Sequence, residues 1–367
     1  MCSSDLFTQV IAFSEFGFPK SHAAAFGLLA YQSAWLRHYH TSEYYCALFN
    51  NQPMGFYSLD ALGRDAKRND VEILLPDVNA SDVWCTIARD SGLGARESGA
   101  VRVGLGFVRD WSEATATELV RERERRGLFT SIGDLARRAP PQLKRTAIEH
   151  LVWVGGCDGF GLTRRELLWQ VGLWLPPEAA RNSDARARRQ LELALNHPHE
   201  GLRFGGLAAD ERLLAEYAVL GFAPSGHPLS LLKDALPPGV VQSDALSRRE
   251  TATTVEVAGL VVARQRPETA KGFIFVLLED EAGMVNVIVR PDVYERYRPA
   301  IRGEPLLWVR GKLAKDDGTV NVLAEEARGL KVGTRNAERG TDDMPASSAF
   351  AFLKSMRRVA PESKDWG

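Results

Sequence analysis

The chain has 367 residues, 45% of them hydrophobic and 25% charged, with a formal net charge of −1. That length suits two to four ordinary domains, and the near-zero charge counts against a protein that coats nucleic acid by bulk positive charge alone. The amino-terminal MCSSDLFTQV lacks a basic segment followed by an apolar core, no apolar run reaches bilayer length, and Cys2, Cys46, Cys85 and Cys157 form no C-x-x-C pair; these features predict a cytoplasmic protein with reduced thiols and no zinc site.

Residues 7–70 read as helical. The Ala-, Leu- and aromatic-rich stretch His22–Leu48 carries Phe26, Leu29, Ala30 and Ala34 at helical spacing, after Gly17 and Pro19, with Ser21 at the cap position. Asn51, Gln52, Pro53 and Gly55 break the chain, and a second helix is predicted from Ser58 to Asn69, with Arg64, Lys67 and Arg68 on one side. VEILLPDVNASDVWCTIA predicts a strand, a turn and a second strand, and RESGAVRVGLGFV a further strand. Helices follow at Ser112–Arg126, in LFTSIGDLARRAP (capped by Thr130 or Ser131), in QLKRTAIEHLVWVG, and after Thr163.

Residues 176–200 are charged, Ala- and Arg-rich and bracketed by prolines, the composition of a linker. The helix DERLLAEYAVLG and the segment SGHPLSLL come next. From residue 253 the pattern alternates with period two. Five strands are predicted, TTVEVAGLVVARQ, GFIFVLLED, MVNVIVR, EPLLWVRGKLAK and VNVLAEEA, with a turn at Asp280–Gly283 and a helix, PDVYERYRPAI, between the third and fourth. That order is the order of an OB-fold barrel, whose open face binds oligonucleotides. The tail from Gly333 is polar, with a helical stretch near Phe350–Arg358. The fold class is therefore multidomain α+β.

Two places set glycines before a helix: Gly104 and Gly106, and then Gly155, Gly156, Gly159 and Gly161, the second group followed by Arg164 and Arg165. Such glycines let backbone N–H groups approach a phosphate at a helix N-terminus, and helix-hairpin-helix modules hold DNA backbones in this way without reading sequence. The alternative is that they are ordinary C-caps and turns. Between Arg121 and Arg145 basic residues outnumber acidic ones, which fits either a DNA-facing surface or a solvated helix face. In the barrel, Lys271, Phe273 and Phe275 alternate along one strand, while Arg264, Arg266, Arg290, Arg310 and Lys312 lie on or near others. Aromatics beside cations suit single-strand binding. Either Phe273 and Phe275 face outward, or they fill the core and Ile274 and Val276 face outward.

Neither His38 with His40 nor His197 with His199 has the spacing of a helical metal pair. There is no D-x-D on a strand, no G-x-S-x-G, no G-x-x-x-x-G-K-[ST] and no H-E-x-x-H. No catalytic residue and no cofactor is assigned to this chain.

The run FGFPKSHAAAFGLLAYQSAWLRHYHTSEYYCALFNNQPMGFYS resembles the end of the fingers domain of bacterial C-family DNA polymerases, the polymerase III alpha-like family. QPMGFY at 52–57, LLPDVNASDVW and the terminal ESKDWG are similar to the error-prone branch. The resemblance implies residues 1–84 as the last part of the fingers, 85–175 as tandem helix-hairpin-helix, 176–250 as linker and connecting helices, 251–332 as the OB-fold and 333–367 as a tail. It implies translesion DNA synthesis for the whole polymerase, with Mg2+ and the catalytic aspartates in an upstream palm that nothing here matches. Lys20, Ser21 and His22 match polar fingers residues and imply a nucleotide- or template-side role, the alternative being helix capping and packing. Implied partners are primer–template duplex, single-stranded template, the upstream palm, thumb and PHP domains and accessory mutagenesis proteins. Only QLELAL at 190–195 resembles a sliding-clamp peptide. Cys2–Leu6 is also what a common sequencing adaptor gives on translation, so the first residues are expected to be non-native. A free-standing, non-catalytic nucleic-acid-binding protein built from the same modules is the alternative.

Overall fold

A computed structural model describes residues 20–54, 58–88, 99–175, 202–316, 319–330 and 364–366. The linker 176–201 and the helical stretch expected near 350–358 lie outside the described residues.

The single helix expected through His22–Leu48 is two. Helix α1 spans Lys20–Tyr39 and α2 Thr41–Asn50, separated at His40 (φ −135°, ψ 54°). The break coincides with Thr41 and Ser42, whose hydroxyls compete with helical bonding: Thr41 Oγ1 donates to the Arg37 carbonyl at 2.9 Å and Ser42 Oγ donates to the Gly99 carbonyl. Ser21 lies inside α1 and does not cap it. After the break α2 enters the core, with Tyr45 and Phe49 fully buried. The helix expected from Ser58 to Asn69 is α3, Leu59–Arg68, with Ser58 as its cap, the hydroxyl accepting from Ala61 N–H at 3.2 Å.

A small sheet follows, in the order β1 (Ile73–Leu74), β3 (Ala100–Arg102), β2 (Thr86–Ala88), with β1 parallel and β2 antiparallel to β3. The boundary expected at residues 84/85 falls inside it. Four helices come next: α4 (Glu113–Arg126), α5 (Ile132–Arg138), α6 (Arg145–Trp153) and α7 (Arg164–Trp174), with α7 packed against α5 and α6. Ser112, Ser131 and Thr163 cap α4, α5 and α7. One core joins these helices, the small sheet, α2, α3 and the end of α8 (Ala209–Leu220), from Tyr45 to Phe222. Cys46, Cys85 and Cys157 are buried free thiols within it. Burial raises the Cys85 thiol to about 12, far from the reactive range.

After the short helix α9 (Ser243–Leu246), the barrel consists of β4 (Thr254–Gln265), β5 (Ile274–Glu279), β6 (Met284–Val289), α10 (Pro291–Gly303), β7 (Leu306–Asp316) and β8 (Thr319–Gly329). Its pairing order is β5-β6-β8-β7-β4, closed by β4 on β5, with β6 and β8 parallel. Aliphatic side chains of alternating positions fill it, among them Val255, Val257, Ile274, Val276, Leu278, Val285, Val287, Leu307 and Val322. A last strand, β9 (Lys364–Trp366), runs parallel to the end of β4. Among the described residues, no helix is long and apolar enough to cross a membrane.

Candidate nucleic-acid interface

Burial settles which face of the barrel is open. Ala258, Leu260, Leu306 and Trp308 point outward from β4 and β7 but are covered by Leu213 and Tyr217 of α8 and by Leu229 and Leu232 of the SGHPLSLL segment. Among the described residues the face of β5, β6 and β8 has no such cover: Phe275 is 37% and Met284 42% exposed. Ile274 and Val276 fill the core, so Phe275 is outward. Phe275, Ile288, Leu323 and Lys312 are successive register partners across β5, β6, β8 and β7, which makes one row over the open face. Asn286 and Asn321 stand opposite each other beside that row.

The other expected barrel residues are used differently. Lys271 is exposed but precedes the strand, in a left-handed conformation (φ 50°), and Phe273 is half-buried in the same loop. They do not alternate with Phe275 on one strand, because β5 begins at Ile274. Arg264 turns to the carboxyl end of α10, Nε donating to the Ile301 carbonyl at 2.6 Å and an NH2 group to the Glu304 carbonyl at 2.7 Å. It is a helix C-cap cation, not an outward contact. Arg310 and Lys312 are both exposed on β7, with Glu326 3.7 Å from the Arg310 guanidinium. Arg266 lies over the Tyr294 ring at 5.7 Å.

The helical unit contains two helix-hairpin-helix turns, one of which was missed in the sequence. Between α4 and α5 the turn Gly127–Ser131 opens with Gly127 at φ 84° and exposes Leu128. Its signal was Gly-Leu-Phe-Thr followed by the cap Ser131. Between α6 and α7 the turn runs through Gly155–Thr163, with Gly161 at φ 74° and no heavy atom within 4 Å of where its Cβ would be. Gly159 is also exposed there, whereas Gly155 and Gly156 are buried and close the end of α6, Gly156 N–H donating to the Leu151 carbonyl at 2.8 Å.

Gly104 and Gly106 are not a phosphate cradle. A Cβ on Gly104 would stand 2.4 Å from the Trp84 carbonyl carbon, and the N–H groups of Leu105 and Gly106 already donate to the carbonyls of Asp82 and Val83 at 2.8 and 2.9 Å. These glycines admit a crossing backbone; Gly104 stands just before a 3-10 helix, Leu105–Phe107, and Gly106 lies within it. Arg164 is buried, binding both oxygens of Asp158 and the Trp153 carbonyl, so it fastens the second hairpin from within. Arg165 is exposed and forms a bidentate pair with Glu211 of α8 at 2.7 and 2.8 Å. The basic run 121–145 is also largely committed: Arg123 to the Val78 and Ser81 carbonyls, Arg125, Arg126 and Arg138 to Glu122, and Arg145 to Glu149. Ser21 and His22 lie exposed on α1, His22 stacked near Phe26 at 4.3 Å.

A buried ionic cluster joins the barrel to α3. Arg64 pairs with Asp60 at 2.6 Å and with Glu279 of β5 at 2.5 Å, and Arg68 pairs with Glu279 at 2.7 Å. Burial raises the Glu279 carboxyl and the two arginines pull it back down. Lys67 donates to the Pro224 carbonyl, and burial lowers its ammonium. His227, in the SGHPL segment, accepts from Leu229 N–H through Nδ1. Burial, then the charges of Arg64, Lys67 and Arg68, push it down to about 3. Among the described residues, no group of three or more His, Cys, Asp or Glu is arranged to hold a metal.

Comparison with known proteins agrees with this geometry. The family profile described as a helix-hairpin-helix motif matches residues 70–167, and the one described as an OB-fold nucleic acid binding domain matches residues 255–330. The chain is 37% identical over 345 residues to the error-prone DNA polymerase of Anaeromyxobacter sp. (strain K), covering 93% of this chain and 29% of that protein. It is 40% identical over 322 residues to the error-prone DNA polymerase of Azoarcus sp. (strain BH72), covering 86% of this chain and 29% of the relative. For the Methylococcus capsulatus error-prone DNA polymerase the identity is 38%, over 87% of this chain and 31% of the relative.

Proposed function

We propose that the chain, 37% and 40% identical to part of two error-prone DNA polymerases, forms the carboxy-terminal, DNA-holding portion of such an enzyme, acting in the cytoplasm. In this reading the hairpins grip the primer–template duplex by its backbone and the barrel guides the single-stranded template. The palm carboxylates, the Mg2+ they hold and the nucleotidyl transfer belong to the remainder of the polymerase, as do the contacts with accessory mutagenesis proteins. A template-side role of Lys20, Ser21 and His22 depends on that remainder too.

The observation that supports the reading is the row Phe275–Ile288–Leu323–Lys312, which no element covers among the described residues. It sets an exposed aromatic and a cation on one barrel face, while α8 and the SGHPLSLL segment cover another. Stacking rings beside phosphate-neutralising cations are what sequence-tolerant single-strand binding requires.

The test is fluorescence anisotropy with a labelled oligo(dT) and a labelled hairpin duplex over a salt series, with primer extension alongside. Phe275→Ala is expected to weaken oligo(dT) binding about 5- to 50-fold and to leave duplex binding unchanged. Equal binding of oligo(dT) by both forms would remove the open face from the proposal. Primer extension by the chain alone would show that the polymerase chemistry does not lie elsewhere.

A further inference from the structure

Asparagine is a poor strand residue, because its carboxamide competes for backbone hydrogen bonds and packs little surface. The open face of the barrel nevertheless sets Asn286 of β6 opposite Asn321 of β8, in parallel register. Each stands between valines, in Val285-Asn286-Val287 and Val320-Asn321-Val322. Val285, Val287 and Val322 belong to the barrel core, so both carboxamides lie on the outer face. Asn286 is exposed and Asn321 half-buried. Facing amides on neighbouring strands can bond to each other as a ladder, yet among the described residues neither carboxamide has a hydrogen-bond partner. Their own row is otherwise apolar, with Leu277 opposite Asn286 and Ala314 opposite Asn321. Phe275, whose partner is Ile288, stands diagonal to Asn286, and diagonal neighbours of an antiparallel pair lie about 7–8 Å apart. A base stacked on Phe275 can therefore turn an edge toward the carboxamides.

We propose that Asn286 and Asn321 are base-edge contacts of the single-strand platform, exchanging hydrogen bonds with the Watson–Crick edges of unpaired bases held on Phe275. The inference rests on the open-face reading above. A carboxamide carries an NH2 donor and a carbonyl acceptor in one plane. Every unpaired base likewise shows a donor beside an acceptor on its Watson–Crick edge, the edge that single-strand readers use. A half-turn of the amide exchanges its donor and acceptor, so the pair serves each of the four bases. It requires that a base be present without selecting which one. That suits a surface guiding a template of any sequence, and it makes an abasic strand the ligand this face holds least well.

The experiment uses the full chain, a fluorescein-labelled oligo(dT) and a labelled strand of equal length built of tetrahydrofuran abasic sites, at low salt so that phosphate contacts hold both. Wild type is compared with Phe275→Ala and with the double variant Asn286→Val, Asn321→Val. Valine favours strands, so the double variant is expected to unfold thermally no earlier than wild type. It is expected to bind oligo(dT) about 5- to 10-fold more weakly and the abasic strand as wild type does. The salt slope is expected to stay the same, because no phosphate contact is lost. An equal loss on the abasic strand would put the carboxamides on the sugar–phosphate backbone and overturn the inference. So would unchanged oligo(dT) binding by the double variant where Phe275→Ala binds more weakly. If Phe275→Ala also binds oligo(dT) as wild type does, the open-face reading fails and carries this inference with it.

Discussion

His227 sits where a proton is least welcome. It is 8% exposed, and three cationic side chains surround it, so its folded-state value lies near 3 against an ordinary 6.5. Between those values the unfolded chain binds a proton that the folded chain refuses, so stability is fully present above about pH 6.5 and falls as the solution is acidified, by at most about 1.4 kcal/mol per pH unit. The carboxyls of Asp60, Glu216 and Glu279 are shifted upward by burial, and they act in the opposite direction, losing stability as pH rises. Urea titrations between pH 7.5 and 4.5 isolate the histidine: His227→Asn is expected to flatten the acid-side slope relative to wild type. An unchanged slope would mean that His227 is protonated in the folded protein. Arg164 calls for the reverse of the usual test of a basic residue in a DNA-binding hairpin. Because its guanidinium is used up on Asp158 and the Trp153 carbonyl, Arg164→Ala is expected to lower stability by about 2–3 kcal/mol while changing the duplex affinity of the folded molecules little.

At the level of elements, the second hairpin makes a sharper prediction. Gly161 holds φ 74° with no heavy atom within 4 Å of where a Cβ would stand, so the main cost of Gly161→Val is the left-handed conformation, about 1–2 kcal/mol. A branched side chain there also holds a phosphate away from the backbone. Duplex affinity is expected to fall with oligo(dT) affinity unchanged, and anisotropy with the two ligands separates these outcomes. Much of this architecture was legible in the sequence. Ser58, Ser112, Ser131 and Thr163 marked helix starts because capping is a local interaction between a side chain and N–H groups two or three residues on. The five strands showed because burial on one face imposes period two, and MVNVIVR even separates its core valines from its open-face residues. The use of the glycines was not legible. Gly104 and Gly161 look alike in sequence, yet one admits the Val83–Trp84 backbone and the other faces open space, a difference set by contacts more than one element away. The arginines misled for the same reason: Arg164, Arg165 and Arg264 each meet a partner supplied by the fold.

For the whole molecule, two surfaces matter. Helix α1 is exposed, with Phe26, Leu28, Leu29, Tyr31, Trp35, Leu36 and Tyr39 each more than 40% exposed among the described residues, and the chain spans 29% to 31% of the length of the three relatives compared above. Apolar surface on that scale drives association, so the chain alone is expected to sediment as concentration-dependent oligomers, and Leu29→Ser with Trp35→Ser to restore the monomer. The second surface is the contact between barrel and helical unit. Arg68 and Glu279 are 211 residues apart in sequence, and no local pattern announces their pairing. Glu279 is fully buried with Arg64 and Arg68 on its carboxylate, while Asp60 holds the other side of Arg64. Removing one partner of such a cluster strands the others in a poorly solvated place, at a cost of about 3–5 kcal/mol. Glu279→Ala leaves Arg64 and Arg68 facing each other and the positive field on His227 uncompensated. The barrel keeps its own valine core and the helical unit keeps the core from Tyr45 to Phe222, so the loss falls on the junction and not on either unit. Calorimetry of Glu279→Ala is therefore expected to show two separated transitions where wild type shows one, with proteolysis newly cutting between Phe222 and Thr254. A single transition, merely lowered, would mean that the apolar contacts of α8 and the SGHPLSLL segment with β4 and β7 are enough to hold the two units together.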